Sequence, residues 1–451
     1  MTSQPTSLQL GALAAGPRAP GPRGVRLLRL AKLIRDDRIG VLETIRRDHG
    51  DVAEIRIGPT RIVIVSDPDR AESILRDSNI FAEKGLGLNQ ASYFLGQGLL
   101  TSSGTAWSES RVALAGLFRR DCVQAMLAAT HAAVEVELSA LDTCAEGSQQ
   151  LDLRPFVTRI AFATIAAEIL GPHADREAVC SDLRTLSRWA ERRLALPFDR
   201  LTRLAWRFAP DARRAYRRLA ALIDRPDMAV GNVSDALAQH GLLDAKLLRD
   251  QTLTLLLAGH ETTSAAILWT LDLLSRHPEI ADRVANEARA ALAYDPAAFD
   301  SKRHPHANAA VKEAMRLFPP VWVLPRRALR DTHIGPYRIL AGSDVLINVH
   351  GLHRHAGVWH DPDSFIPDRF DPARPEPPAY MPFGLGARRC VGLHLGLAET
   401  VLVVAHFMAR FRLMPATTAI LTQAGLTLHP RESLMIRIEK RKDRRRNIGF
   451  G

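Results

Sequence analysis

The sequence predicts a mainly α, α+β fold, in which one large helical body carries a smaller β-rich region. Three observations predict it. From 122 to 228 the apolar pattern is helical nearly throughout. Residues 251–274 (QTLTLLLAGHETTSAAILWTLDLL) are apolar over several turns, as expected of a helix buried on most sides. Short β-branched or alternating runs are confined to 52–65, 321–350 and 418–439. The Pro/Gly-rich leader at 1–24 reads as a mobile lead-in, 25–440 as a single domain, and 441–451 as a basic, frayed tail.

In chain order, LLRLAKLIR at 27–35 forms a basic amphipathic helix that packs on the body or touches a membrane surface, and a second helix follows over Ile39–Asp48. Val52–Ile57 and Arg61–Val65 flank Gly58-Pro59 as a hairpin. Asp67-Pro68 opens a helix with proline in its first turn. Residues 82–100, rich in Gly, Asn, Gln and Ser, read as a long loop bordering a site. Trp107 and Arg111 stand at i and i+4 on one helix face. Together they can hold a ligand carboxylate, or they are a buried Trp beside a surface Arg. Over 187–218 many arginines are interleaved with Trp189, Phe198, Trp206 and Tyr216, so that arginine stems cover apolar surface.

The apolar helix at 251–274 is interrupted by Ala258-Gly259-His260-Glu261-Thr262-Thr263. A mid-helix glycine costs about 1 kcal/mol relative to alanine, and a buried Glu261 needs a partner or a functional reason. Ser264 occupies the place of the second histidine of a zinc protease motif, which excludes that reading. Helix 307–317 carries Glu313 and Arg316 as an i,i+3 pair and ends at Phe318-Pro319-Pro320. Strands follow at Val321–Leu324 and Val345–Val349, with Arg326 and Arg327 between them. From His353 to 382 the chain is proline-rich and irregular, and Arg369 is placed to bond backbone carbonyls. Then Phe383-Gly384-Leu385-Gly386-Ala387-Arg388-Arg389-Cys390-Val391-Gly392 precedes an apolar helix at 393–412. A thiolate at a helix N-terminus is favoured by unpaired N–H groups, and basic neighbours lower its pKa. The glycines let a flat, bulky group approach the backbone. This cysteine is prepared to hold a metal cofactor.

The formal net charge is +11 and the sequence pI near 10. The basic residues are spread along the chain without a nucleic-acid motif, which points to an acidic protein partner. Cys122, Cys144, Cys180 and Cys390 form no Cys-x-x-Cys pair and no disulfide framework, so a zinc ribbon is excluded and a reduced, cytoplasmic setting is expected. No apolar run reaches the ~20 residues of a transmembrane anchor.

These stretches in this order resemble the cytochrome P450 family over roughly 40–451. Phe383-x-x-Gly386-x-Arg388-x-Cys390-x-Gly392 is similar to its haem loop at every defined position. Glu313-x-x-Arg316 resembles its helical pair, and Pro367-Asp-Arg369-Phe370 the segment whose arginine joins it. Ala258-Gly259-x-Glu261-Thr262-Thr263 resembles its oxygen-binding helix, and Trp107-x-x-x-Arg111 its propionate helix. The resemblance implies haem b, sandwiched between the oxygen-binding helix and the Cys-loop helix with Cys390 as axial iron ligand. It implies haem contacts at Phe383, Gly384, Arg388 and Gly392, propionate ligands at Trp107, Arg111 and Arg326, and a further haem-edge contact at His353. Ala258 and Gly259 would border dioxygen, and Glu261 and Thr262 would deliver protons.

The implied activity is a monooxygenase. With two externally supplied electrons it hydroxylates or epoxidises a hydrophobic molecule of terpenoid, fatty acyl or polyketide type, in secondary metabolism. The implied partner is an acidic ferredoxin or flavodoxin with its reductase, docking on Arg119, Arg120, Arg388 and Arg389. Substrate contacts are expected from Leu86, Leu88, Phe94, Leu255, Val321, Trp322, Val323, Leu324 and Leu426. The segment between Asp224 and Ala236 looks short for helices over the pocket. Direct use of peroxide and non-catalytic haem sensing are the rival readings, and the Glu261-Thr262 pair disfavours both.

Overall fold

The computed structural model describes residues 16–34, 36–145, 150–170, 174–193, 199–225, 231–294, 299–417 and 421–441. Helices α1 (Val25–Leu33) and α2 (Arg38–His49) lead into the hairpin β1 (Val52–Ile57) and β2 (Thr60–Val65). Then come α3 (Pro68–Arg76), α4 (Leu88–Leu95), α5 (Gly104–Ala115), α6 (Arg120–Ala145), the short strand β3 (Gln150–Asp152) and α7 (Arg154–Ile169). The upper helices are α8 (Arg176–Glu191), α9 (Asp199–Arg207), α10 (Pro210–Ile223) and α11 (Gly231–Ala238). The long α12 (Ala245–Arg276) is followed by α13 (Pro278–Tyr294) and α14 (Pro305–Leu317). Strands β4 (Leu324–Arg327), β5 (Thr332–Ile334), β6 (Tyr337–Ile339) and β7 (Asp344–Ile347) precede the short α15 (Val349–Leu352). The chain closes with α16 (Leu393–Arg410), β8 (Phe411–Pro415), β9 (Thr422–Ala424), β10 (Leu428–Pro430) and β11 (Met435–Lys440).

The hairpin forms where two β-branched runs meet across Gly58, whose φ of 58° a side chain would resist. Its second strand pairs in parallel with β7, and β7 pairs antiparallel with β4, giving the order β1-β2-β7-β4. Asp67 caps α3 by accepting from Arg70 N at 2.9 Å, and Pro68 occupies the first turn, as its sequence signal required.

The helical core is organised around α12. Asp244 caps it through Leu247 N at 2.9 Å, and most of its length is buried against α7, α14 and α16. Trp269 stacks on Phe318 with ring centroids 4.0 Å apart and donates its indole N–H to Leu428 O. This ties α12 to the end of α14 and to β10. Among the described residues α16 alone is long and apolar enough to cross a membrane, and it packs instead against α6, α12, α13 and α14.

Three local expectations are corrected. Helix α4 lies inside the stretch expected as loop; its Gln90, Ala91, Phe94 and Leu95 are buried, and tertiary packing overrides the polar composition. The strand expected at Val321–Leu324 begins only at Leu324, so Arg326 and Arg327 lie within β4, not between strands. Where it is described, the leader packs on the body instead of standing free of it. Pro20 O accepts from Glu54 N and Pro17 O from Arg338 N, at 2.8 and 3.0 Å, and Ala19 is buried. A side chain at Gly21 would meet Glu54 O at 1.9 Å, so the segment lies flush on β1. The tail expectation falls on 442–451, which lie outside the described residues, as does part of the short segment at 226–230.

Candidate active site

The Cys390 loop is built by its glycines. Gly384 and Gly386 adopt φ of 68° and 69°, and a Cβ on Gly386 would stand 2.2 Å from Leu75 O of α3. The loop closes when Cys390 N donates to Phe383 O at 2.9 Å. Gly392 starts α16, and its backbone N–H reaches the Cys390 sulfur. Cys390 is exposed although protein surrounds it, so its thiol opens onto an interior gap. Burial pushes this thiol up from its ordinary value, while the Gly392 N–H, Arg111 and Arg389 oppose the shift. The net direction is opposite to the sequence expectation, because the electropositive neighbours do not outweigh desolvation. A bound metal ion reverses that balance, since it deprotonates a ligating thiol outright.

Above the loop, α12 exposes Ala258 amid buried Leu255, Leu256, Leu257 and His260. A Cβ on Gly259 would lie 2.9 Å from Ile165 Cγ1, so glycine here admits the close approach of α7. Thr262 donates its hydroxyl to Ala258 O at 2.8 Å, the back-bond expected of a mid-helix threonine. Glu261 points toward α8. Burial pushes its carboxyl up to about 7, Glu191 adds to the rise, and the Ser187 hydroxyl offsets part of it without closing a full hydrogen bond. Glu261 and Thr262 are therefore adjacent on the helix but engaged with different neighbours.

Four cations converge beside the gap: Lys84, Arg111, Arg326 and Arg388. Arg326 is buried, and burial together with Arg388 lowers it to about 10. Arg388 is likewise lowered to about 10, chiefly by burial. Lys84 is pushed well below its ordinary value by burial and by the three arginines. Among the described residues none of the four forms an ion pair. Glu83 offsets part of the charge through Arg388, but like charges gathered out of water are costly, and two carboxylates placed here would relieve them. The residues thus fit haem, a flat group with two propionates and an iron for Cys390. Lys84 was not expected from sequence; only its place in the 82–100 stretch hinted at it. The Trp107 ring lies under the Arg388 guanidinium, its centroid 4.3 Å away. Arg388 also donates to Ser102 O at 3.1 Å, so it faces inward, whereas Arg119, Arg120 and Arg389 are exposed.

Behind the loop lies a closed polar network. Glu313 and Arg316 are fully buried and paired at 2.7 and 2.8 Å. Arg316 donates further to the carbonyls of His353, Pro362 and Ser364. Glu313 accepts from Ile366 N at 2.9 Å and from Arg369 at 3.3 Å, and Arg369 also donates to Asp361 O. Every polar atom of the pair is thus engaged, which is what permits its burial. His353 is not a haem-edge residue. It is fully buried, its Nδ1 bonds Arg316 O at 3.1 Å, and its Nε2 accepts from Met381 N at 3.0 Å.

Sequence reasoning also missed Glu399 on α16. Burial pushes it up to about 8, with Thr164 and Thr263 partly opposing. It is a neutral acid between α7, α12 and α16, and nothing in a single apolar run marked it. Of the expected substrate contacts, Phe94 and Trp322 are core residues, and Trp322 donates to Gly425 O. Leu86, Leu88, Val321, Val323, Leu324 and Leu426 remain partly exposed. Two surface clefts of about 480 and 570 Å³ include neither Cys390 nor Ala258.

Residues 17–436 match the family model described as Cytochrome P450. Cyclooctatin synthase of Streptomyces melanosporofaciens is 30% identical over 394 residues, covering 81% of this chain and 84% of that protein. Cyclooctat-9-en-7-ol 5-monooxygenase of the same organism is 29% identical over 390 residues, covering 81% and 83%. Protein LUTEIN DEFICIENT 5, chloroplastic, of Arabidopsis thaliana is 27% identical over 431 residues, covering 87% and 72%.

Proposed function

The chain belongs to the cytochrome P450 family, and from that premise we propose that it oxidises a terpenoid-type hydrophobic molecule with electrons from an acidic ferredoxin or flavodoxin. It is a haem-dependent monooxygenase that uses dioxygen, a hydrophobic substrate and redox partner proteins. When bound, haem supplies the iron at which dioxygen is reduced and one oxygen atom is passed to substrate.

The residues around the gap divide the work. Cys390 would supply the thiolate that holds the iron, and the Gly392 N–H, Arg111 and Arg389 would stabilise its negative charge. Lys84, Arg111, Arg326 and Arg388 would take the two propionates with charge-assisted bonds, with Trp107 stacked beneath the Arg388 guanidinium. Phe383, Gly384 and Gly392 shape the loop beneath, and Ala258 leaves room above. Glu261 holds a proton near neutral pH because burial has raised it to about 7. To hand that proton to the Thr262 hydroxyl, its side chain would have to turn from Ser187 on α8 toward the groove. Glu313, Arg316 and Arg369 keep the loop side rigid.

The substrate class rests on the apolar character of the expected contact residues, of which the leucines and valines outside the core are partly exposed, and on the names of two relatives, a cyclooctatin synthase and a cyclooctat-9-en-7-ol monooxygenase. The exposed Arg119, Arg120 and Arg389 suit an acidic electron donor. A role in secondary metabolism in the cytoplasm completes the reading.

The observation that carries it is an accessible Cys390 in a glycine-built loop beside four cations, none of which forms an ion pair among the described residues. The test is the spectrum of the reduced protein with carbon monoxide. A strongly red-shifted Soret band is expected, and Cys390→Ala should abolish it; a globin-like band in the unsubstituted protein would sink the assignment. Turnover should require NAD(P)H and redox partners. Full turnover with peroxide alone would overturn the use of dioxygen.

A further inference from the structure

On the side of the molecule where α6 crosses α16, three metal-ligating side chains meet away from Cys390. His131 and Glu135 sit one turn apart on α6, and His406 projects from α16. One donor atom from each lies within 4.8 Å of the other two. The two imidazole rings are 4.9 Å apart and nearly perpendicular, at 77°. His406 is 5% exposed and its Nδ1 lies 3.2 Å from Glu135 Oε1. A cation seated here would replace this contact, taking His406 Nδ1 and Glu135 Oε1 as two neighbouring donors. The Nε2 of His131 and that of His406 are both buried and have no hydrogen-bond partner, so neither imidazole is committed to another group through that atom.

We propose that His131, Glu135 and His406 form a binding site for a borderline divalent cation, zinc, which clamps α6 to the helix that follows the cysteine loop. Two imidazoles and one carboxylate are a nitrogen–oxygen set suited to zinc, with a fourth position for water. Tetrahedral zinc at ~2.0–2.2 Å from its ligands needs donors about 3.4 Å apart, so the side chains close in by small rotations. Glu135 is half exposed on its side chain, which leaves an entry path from solvent.

Charge around the site is balanced. Arg410 holds the second oxygen of Glu135 at 3.3 Å and is itself paired with Asp142. Lys440 lies 3.5 Å from Asp142. The buried His304 lies near His406 and is uncharged at neutral pH.

The test uses the full-length, haem-loaded protein without an affinity tag. After chelator treatment it is equilibrated with micromolar zinc chloride. Zinc per chain is then measured by mass spectrometry, and affinity by competition with a chromophoric chelator. About one zinc per chain is expected. His131→Gln and Glu135→Gln, both on the more open α6 side, should each weaken binding at least tenfold while haem content stays unchanged. His406→Ala should abolish it, but that residue is deeper, so the α6 variants carry the decision. Failure to take up stoichiometric zinc would overturn the proposal, and so would zinc retained undiminished in both α6 variants. Neither result bears on the thiolate ligation of haem.

Discussion

At Gly386 two constraints coincide: a φ of 69° and a neighbouring backbone oxygen, Leu75 O, only 2.2 Å from where a Cβ would stand. Backbone cannot move aside as a flexible side chain can. Gly386→Ala should therefore destabilise the protein by about 1–3 kcal/mol and lower haem incorporation, read from the ratio of Soret to protein absorbance. Glu261 is a different kind of residue, defined by its surroundings. Its carboxyl is raised from 4.5 to about 7, so the folded state keeps a proton that the unfolded state loses. Stability from this group falls as pH rises from about 4.5 through 7 and is flat above. Glu261→Gln should thus melt higher than the unsubstituted protein at pH 8 and alike at pH 4. Its turnover should drop on the order of a hundredfold and lose the decline that the parent shows above pH 7. Cys390 was legible in the sequence because glycines and arginines at fixed spacing leave few other uses for a cysteine. Ser187, Lys84 and Glu399 were not, because each acquires its meaning from a neighbour far away in the chain.

Among the elements, β4 and α14 show how partner choice fixes a role. Arg326 was legible as a cation near the site, yet its strand was not, because pairing with β7 and not local propensity sets the register. Gly259 was legible as an irregularity in α12, but the reason lies on α7, at Ile165. The α14 pair was legible as Glu-x-x-Arg, whereas its burial depended on carbonyls contributed by 353–364. Those carbonyls need a planar fork of several donors, which lysine lacks. Arg316→Lys should leave Glu313 and the carbonyls partly unpaired, cost about 3–5 kcal/mol, and yield protein that holds no haem. Denaturant melts of purified apoprotein would measure the loss. A variant that stays loaded and stable would show that the network is dispensable.

For the whole molecule, the helical body and the small sheets followed from periodicity, and their assembly around one gap did not. Mutual repulsion among Lys84, Arg111, Arg326 and Arg388 makes the protein depend on what it binds. Removing haem should lower the melting temperature, and added haem should restore it in a concentration-dependent way. Lys84→Met should narrow the gap between apo and loaded forms, because it relieves the repulsion in one and removes a propionate contact in the other. Calorimetry of both forms would show this; an unchanged gap would remove Lys84 from the site.

His353 joins Arg316 O on one side of its ring to Met381 N on the other. One imidazole thereby couples the buried ion network to the approach of the cysteine loop. Displacing this ring would leave two buried backbone groups unpaired at once, so the ion network and the approach to the cysteine loop are held in one register.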